Sequence, residues 1–147
     1  GQGVGMQAGA YGTDGEAHLT LNLAARDDAS APDEGDVFAA DAQFQIAQFA
    51  ANAQFISFGD DGIAFGGRSD SDVYAITATY MVVPDKYEIA VRFQDTDNIT
   101  DDSEFTIGLN RYISGHDVKW QVNFASADSD DSSKEFDVIL VGLNVRV

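Results

Sequence analysis

Apolar and polar residues alternate along most of the chain with a period of two, which sends successive side chains to opposite faces of a β-strand. Phe105, Ile107 and Leu109 are interleaved with Thr106, Gly108 and Asn110, and Val118, Trp120, Val122 and Phe124 with Lys119, Gln121 and Asn123. The same spacing predicts strands carrying Leu19, Leu21, Leu23 and Ala25; Phe38, Ala40, Ala42, Phe44 and Ile46; Ala51, Ala53 and Phe55; Tyr74, Ile76, Ala78 and Tyr80; and Ile89, Val91 and Phe93. A last strand runs from Phe136 to Val147, with Ile139, Val141, Leu143 and Val145 on one face and Gly142, Asn144 and Arg146 on the other. The helical period is nowhere sustained. Eight strands are predicted, with the glycine-rich stretch from Val4 to Tyr11 as a ninth, in one all-β antiparallel meander.

The connections alternate in kind. Short ones are expected at Gly12 to Glu16, around Gln48 to Ala50, at Val83 to Lys86 and at Ser114 to Asp117. Long polar ones are expected at Asp27 to Asp36, Gly59 to Asp72, Asp95 to Glu104 and Asp128 to Glu135. In an up-and-down sheet every second connection lies at the same end, so the short turns share one rim and the long loops the other. Most of the 25 acidic residues fall in or beside the long connections, which makes that rim strongly anionic.

This pattern is what a transmembrane β-barrel requires, because lipid cannot satisfy backbone groups and accepts only an uncharged outer face, whereas a lumen stays wet. The apolar faces carry almost no charge. Arg111 is the exception, beside a short turn where a long cationic side chain reaches the headgroups. The alternative is a soluble β-sandwich binding module, whose strands also alternate between core and solvent. The solvent face of such a sheet usually carries many Lys and Glu. Here the polar face is mostly Gln, Asn, Thr, Ala and Gly, which favours a hydrated lumen.

Charge and composition narrow the function. With 8 Lys plus Arg against 25 Asp plus Glu, a net charge of −17, the 147-residue chain lacks the cationic footprint that nucleic acid needs. Its 44% hydrophobic and 11% aromatic content is too apolar for an acidic disordered tail. The absence of cysteine removes disulfides, thiolate metal sites and cysteine nucleophiles. No charged and then apolar leader opens the chain and Gly1 is not an initiator methionine, so any signal peptide is expected to have been removed ahead of residue 1.

The run YAITATYMVVPDKYEIAVRF from Tyr74, followed by EFTIGLNRYISGHDVKW and a closing strand, resembles the C-terminal part of the phosphate-selective porin O and P family. Pro84, Lys86, Glu88, Ala90, Arg92 and Phe93 stand where that family has a proline-and-lysine turn and a strand of the type L-E-L-A-A-R-Y. Thr106 to Tyr112, then Ser114, Gly115 and His116, are similar to its T-L-G-L-N-W-Y and N-G-H. Ala39 to Phe44 resembles its Y-G-A-D-A-A-F strand, with Asp41 in the aspartate's place. The likeness is good over Tyr74 to Val147 and weaker from Phe38 to Phe58. It implies a sixteen-stranded trimeric porin in the bacterial outer membrane, of which eight or nine strands form the second half. The family ends in an aromatic residue, whereas this chain ends in Val147. The chain is therefore expected to be either a C-terminal half or a smaller relative that closes alone or by pairing copies.

By parity the charges facing the lumen are His18, Arg26, Asp41, Glu88, Arg92, Lys119 and Arg146. Pore-lining roles are expected for Arg92, Lys119, Arg146, Glu88, Asp41 and Arg26, since a porin tunes selectivity with such side chains. One reading has Arg92 and Glu88, four residues apart on one face, neutralising each other or neighbouring strands; the other has Arg92, Lys119 and Arg146 forming a cationic strip that draws anions. The acidic loops have a Ca2+ reading, with Asp95, Asp97, Asp101 and Glu104 at calcium-loop-like intervals, but Ile99 holds a ligand position and no glycine makes the central turn. Without that, no cofactor is expected. Catalysis has little support: His18 and His116 are the only histidines, and no serine elbow accompanies them. The leading expectation is a non-enzymatic channel for small hydrophilic solutes, by resemblance anions such as phosphate. Its partners would be outer-membrane lipid, the permeating ions or solutes and, by resemblance, further copies of itself in a trimer. The alternative within the membrane is a structural or adhesive surface protein with calcium-binding acidic loops.

Overall fold

The computed structural model describes residues 10, 15–28, 35–59, 71–97, 102–115, 117–129 and 135–145, with the backbone alone at 27, 28, 35, 36 and 71. Eight strands follow one another: β1 (His18–Asp28), β2 (Gly35–Ile46), β3 (Phe49–Phe58), β4 (Ser71–Val83), β5 (Tyr87–Asp97), β6 (Asp102–Ser114), β7 (Val118–Ser129) and β8 (Phe136–Val145). They form one 8-stranded sheet in sequence order, each strand antiparallel to the next. The fold is the all-β up-and-down meander that the alternation predicts, and β1 and β8 are its two edges. The predicted ninth strand, Val4 to Tyr11, lies outside the described residues except for Ala10, which occupies a turn.

Turn chemistry sets one rim. Ala47 and Gln48 alone separate β2 from β3, and Ala47 takes a φ of 49°, a left-handed conformation that its Cβ resists. Between β4 and β5 the Lys86 amide donates to the Val83 carbonyl at 3.0 Å, with Pro84 next and Asp85 at a φ of 57°. That is a type II turn, in which proline presets the second residue and a short polar side chain tolerates the third. Gly115, with a φ of 51°, opens the turn closed by Asp117 donating to Ser114. Register shifts follow at both three-residue turns, between Met81 and Val83 and between Tyr112 and Ser114, so Val82 and Ile113 are bulged.

The other rim departs from expectation. The strands run several residues into what the polar composition marks as loops: Asp27 pairs with Asp36, Asp72 with Asp97, Thr96 with Asp102, and Ser103 with Asp128. Backbone pairing is indifferent to side-chain polarity, so a hairpin whose apolar band is already paired continues as a ladder beyond it.

The two faces are inverted relative to a soluble sheet. Among the described residues the buried hydrophobic side chains are Met81, Tyr112 and the alanines at 10, 50, 75 and 125, whereas most of the large ones lie exposed on the apolar face; Ile56, Phe136 and Leu140 are exposed on the polar face, opposite Ala39, Ala127 and Asn123. Val91, in the middle of the sheet, is 37% exposed, and Leu23 on the edge strand β1 is 76% exposed. A sandwich would bury such a face under a second sheet. The described strands make only one.

Candidate functional site: the polar face of the sheet

Register determines which side chains meet across the polar face. Met81 lies opposite Glu88, Glu88 opposite Asn110, and Asn110 opposite Gln121. These neighbours build a ladder of amides that ends on a carboxylate. The Asn144 side-chain amide donates to Gln121, Gln121 Nε2 donates to Asn110 Oδ1 at 2.8 Å, and Asn110 Nδ2 donates to Glu88 Oε1 at 2.8 Å. Tyr112 donates its hydroxyl to the same oxygen at 3.1 Å. The backbone N–H of Ala10 donates to Glu88 Oε2 at 2.8 Å. Glu88 and Ala10 are each 1% exposed, and Ala10 packs in one cluster with Ala50, Met81 and Tyr112. Beside this cluster the Thr79 hydroxyl is buried with no partner among the described residues.

A second carboxylate centre spans β1 to β3. Asp41 accepts from Asn22 Nδ2 at 2.9 Å, Gln43 Nε2 at 3.2 Å and Asn52 Nδ2 at 2.5 Å. Asp41 is half-buried and Asn22 exposed, so this centre remains open on its outer side.

The basic residues are placed differently. Arg92 is half-buried on the polar face and donates from Nη2 to Gln94 Oε1 at 2.7 Å. Lys119 Nζ lies 5.9 Å from the ring centroid of Tyr112. Among the described residues no ion pair joins Arg92 to Glu88, whose oxygens are taken up by Asn110, Tyr112 and Ala10. The expected mutual neutralisation of Arg92 and Glu88 is therefore replaced by amide and hydroxyl donors. Arg26 is exposed near the acidic rim; Arg146 and His116 lie outside the described residues.

Of the calcium candidates, Asp95 and Glu104 point to opposite faces. Asp95 lies opposite Ser103 and accepts the Tyr74 hydroxyl at 2.6 Å, on the apolar side of the sheet. Glu104 lies opposite Gln94 on the polar side and accepts from Thr106 at 3.1 Å. Strand parity thus directs the two carboxylates to opposite faces. Asp97 is exposed at the end of β5, and Asp101 lies outside the described residues. Among the described residues no three His, Asp or Glu side chains are grouped closely enough to hold a metal ion.

The apolar face carries a feature that alternation alone does not single out. Phe38 and Phe44, Phe49 and Phe55, Tyr74 and Tyr80, and Tyr87 and Phe93 are pairs of rings six positions apart on four successive strands. Register gathers them into two bands: Phe38 with Phe55 and Tyr74 with Phe93 in one, at centroid distances of 6.4 and 6.1 Å, and Phe44 with Phe49 in the other at 6.4 Å. Phe55 lies opposite Tyr74 and Phe49 opposite Tyr80, which continues each band across the sheet. The second band extends to Tyr87, whose ring lies 6.0 Å from the Arg111 guanidinium, with Trp120 opposite Arg111. Six residues of strand separate the bands by about 20 Å. The signal for them was the i, i+6 recurrence of aromatics, visible only when the strands are aligned with one another.

Compared with protein-family models, with curated proteins and with solved structures, the chain matches none.

Proposed function

We propose that this chain forms part or all of the wall of an outer-membrane β-barrel channel for passive diffusion of small hydrophilic solutes, with anions such as phosphate as the favoured class. The observation that carries this reading is the inverted sheet: one face of large exposed apolar side chains edged by aromatic bands, the other a hydrogen-bonded array of amides and carboxylates. Lipid accepts the first face and water the second. Barrels of this kind carry an apolar band about 25 Å tall flanked by aromatic girdles; the two aromatic bands here lie about 20 Å apart along the strands, and Arg111 over Tyr87 is placed as a cation reaching headgroups would be. The edges β1 and β8 must then be closed, on each other, on a second copy or on further strands, since an open edge leaves backbone groups unsatisfied in hydrocarbon.

The anion preference rests on Arg92 and Lys119, which lie on the polar face without a carboxylate partner among the described residues, and on the resemblance to phosphate-selective porins. Charges within a narrow lumen are screened less than those of the acidic rim, whose field fades within about 8 Å at physiological salt. Reversal potentials in planar bilayers under a KCl gradient test this at two ionic strengths. Cation preference is expected at low salt, weakening or reversing as salt rises. A protein that is monodisperse without detergent and conducts nothing would refute the channel.

A further inference from the structure

Glu88 is the one acidic side chain buried among the described residues, and one of its oxygens is committed to a backbone group 78 positions away. We propose that Glu88 is a latch that seats the backbone at Ala10 on the polar face of the sheet. Three observations converge. Ala10 is as fully buried as the carboxylate it meets. It packs with Ala50, Met81 and Tyr112, so β3, β4 and β6 all contribute to its seat around Glu88 of β5. The carboxylate is itself fixed from the other side, because Asn110 and Tyr112 hold Oε1 and leave Oε2 aimed at the Ala10 amide. In the channel reading, on which this consequence rests, the seated backbone takes up lumen width near the short-turn rim, and Glu88 acts as a positioning residue rather than as a charge that meets solutes.

Glu88→Gln separates the latch from general packing. The amide keeps one oxygen for Asn110 and Tyr112 but presents an NH2 group to the Ala10 N–H, donor against donor. Flipping the amide would strand two donors instead of one. Hydrogen exchange of individual amides in detergent-solubilised protein reads the result without any assumption about conduction. The Ala10 amide is expected to be protected in the wild type and to exchange about tenfold faster or more in Glu88→Gln, the effect of losing one hydrogen bond to a charged acceptor. Amides of β5 and β6 should keep their protection. Exchange of Ala10 at free-peptide rate in the wild type, or unchanged by Glu88→Gln, would overturn the latch. Should Glu88→Gln not fold, the wild-type rate alone still decides. Conductance of the same two proteins supplies the second arm, with a rise expected in the variant. Unchanged conductance with a released Ala10 would overturn the narrowing, and the absence of any channel in both would overturn the pore reading while leaving the exchange result intact.

Discussion

Asp41 and Glu88 are carboxylates on the same face of the same sheet, each gathering side-chain amides from neighbouring strands, yet one is open and the other sealed. Asp41 lies near the edge, where none of the described strands lies beyond Asn22 on β1 and the donors are themselves partly exposed. Glu88 lies at the centre, with neighbours on both sides and the backbone of Ala10 above it. Identical chemistry thus yields a water-facing charge in one place and a structural anchor in the other. Position in the sheet and cover from elsewhere in the chain make the difference. A carboxylate should be assigned to a pore only after the groups already holding its oxygens have been identified.

The sharpest way to break this comparison is to remove each carboxylate in turn. Glu88→Ala leaves the Asn110 amide, the Tyr112 hydroxyl and the Ala10 N–H without their acceptor in a buried site, and is expected to lower stability by about 3 kcal/mol. Asp41→Ala frees donors that water reaches, and about 1 kcal/mol is expected. Urea unfolding of the detergent-solubilised protein, followed by Trp120 fluorescence, measures both; equal losses would remove the distinction. Ion selectivity sharpens it from the functional side. Asp41→Asn should move the reversal potential towards anions, whereas Glu88→Gln, whose charge faces protein donors, should move it less even if conductance rises. The smallest effect is expected at Gly108. An added Cβ there would come within 2.3 Å of Asn123 Oδ1 on the polar face, but that oxygen ends a short side chain able to turn aside. Gly108→Ala should change stability by no more than about 0.5 kcal/mol in the same unfolding measurement, and a larger loss would show that the Asn123 amide is held as firmly as Asn110.

Period-two alternation was enough to locate all eight strands and their order of faces, because a one-residue slip would exchange an entire apolar set for a polar one. The short turns at Val83 to Lys86 and Ser114 to Asp117 fall where expected, the one expected around Gln48 to Ala50 falls at Ala47 and Gln48, and Gly12 to Glu16 lies mostly outside the described residues. Strand ends were less legible. Acidic residues such as Asp72, Asp97 and Asp102 read as loop by composition, yet they lie within strands because backbone hydrogen bonding continues irrespective of what the side chains carry. Sequence spacing also suggested a shared role for Asp95 and Glu104 that pleating forbids, since residues nine positions apart on two antiparallel strands face one another only when the register so places them.

What the sequence by itself determined is the sorting of side chains between two faces, a local property of the pleat that each strand expresses alone. What only the tertiary structure decided is which polar residues meet: that Arg92 hydrogen-bonds Gln94 rather than pairing with Glu88, that Asn52 reaches Asp41, and that the amide of Ala10 lies on Glu88. Those contacts depend on the register between strands and on a contact spanning 78 positions, and no periodicity within a single strand carries that information. Register was fixed by turn geometry and by the pairing of whole strands, so the partners of each charge became definite only once all the strands were assembled.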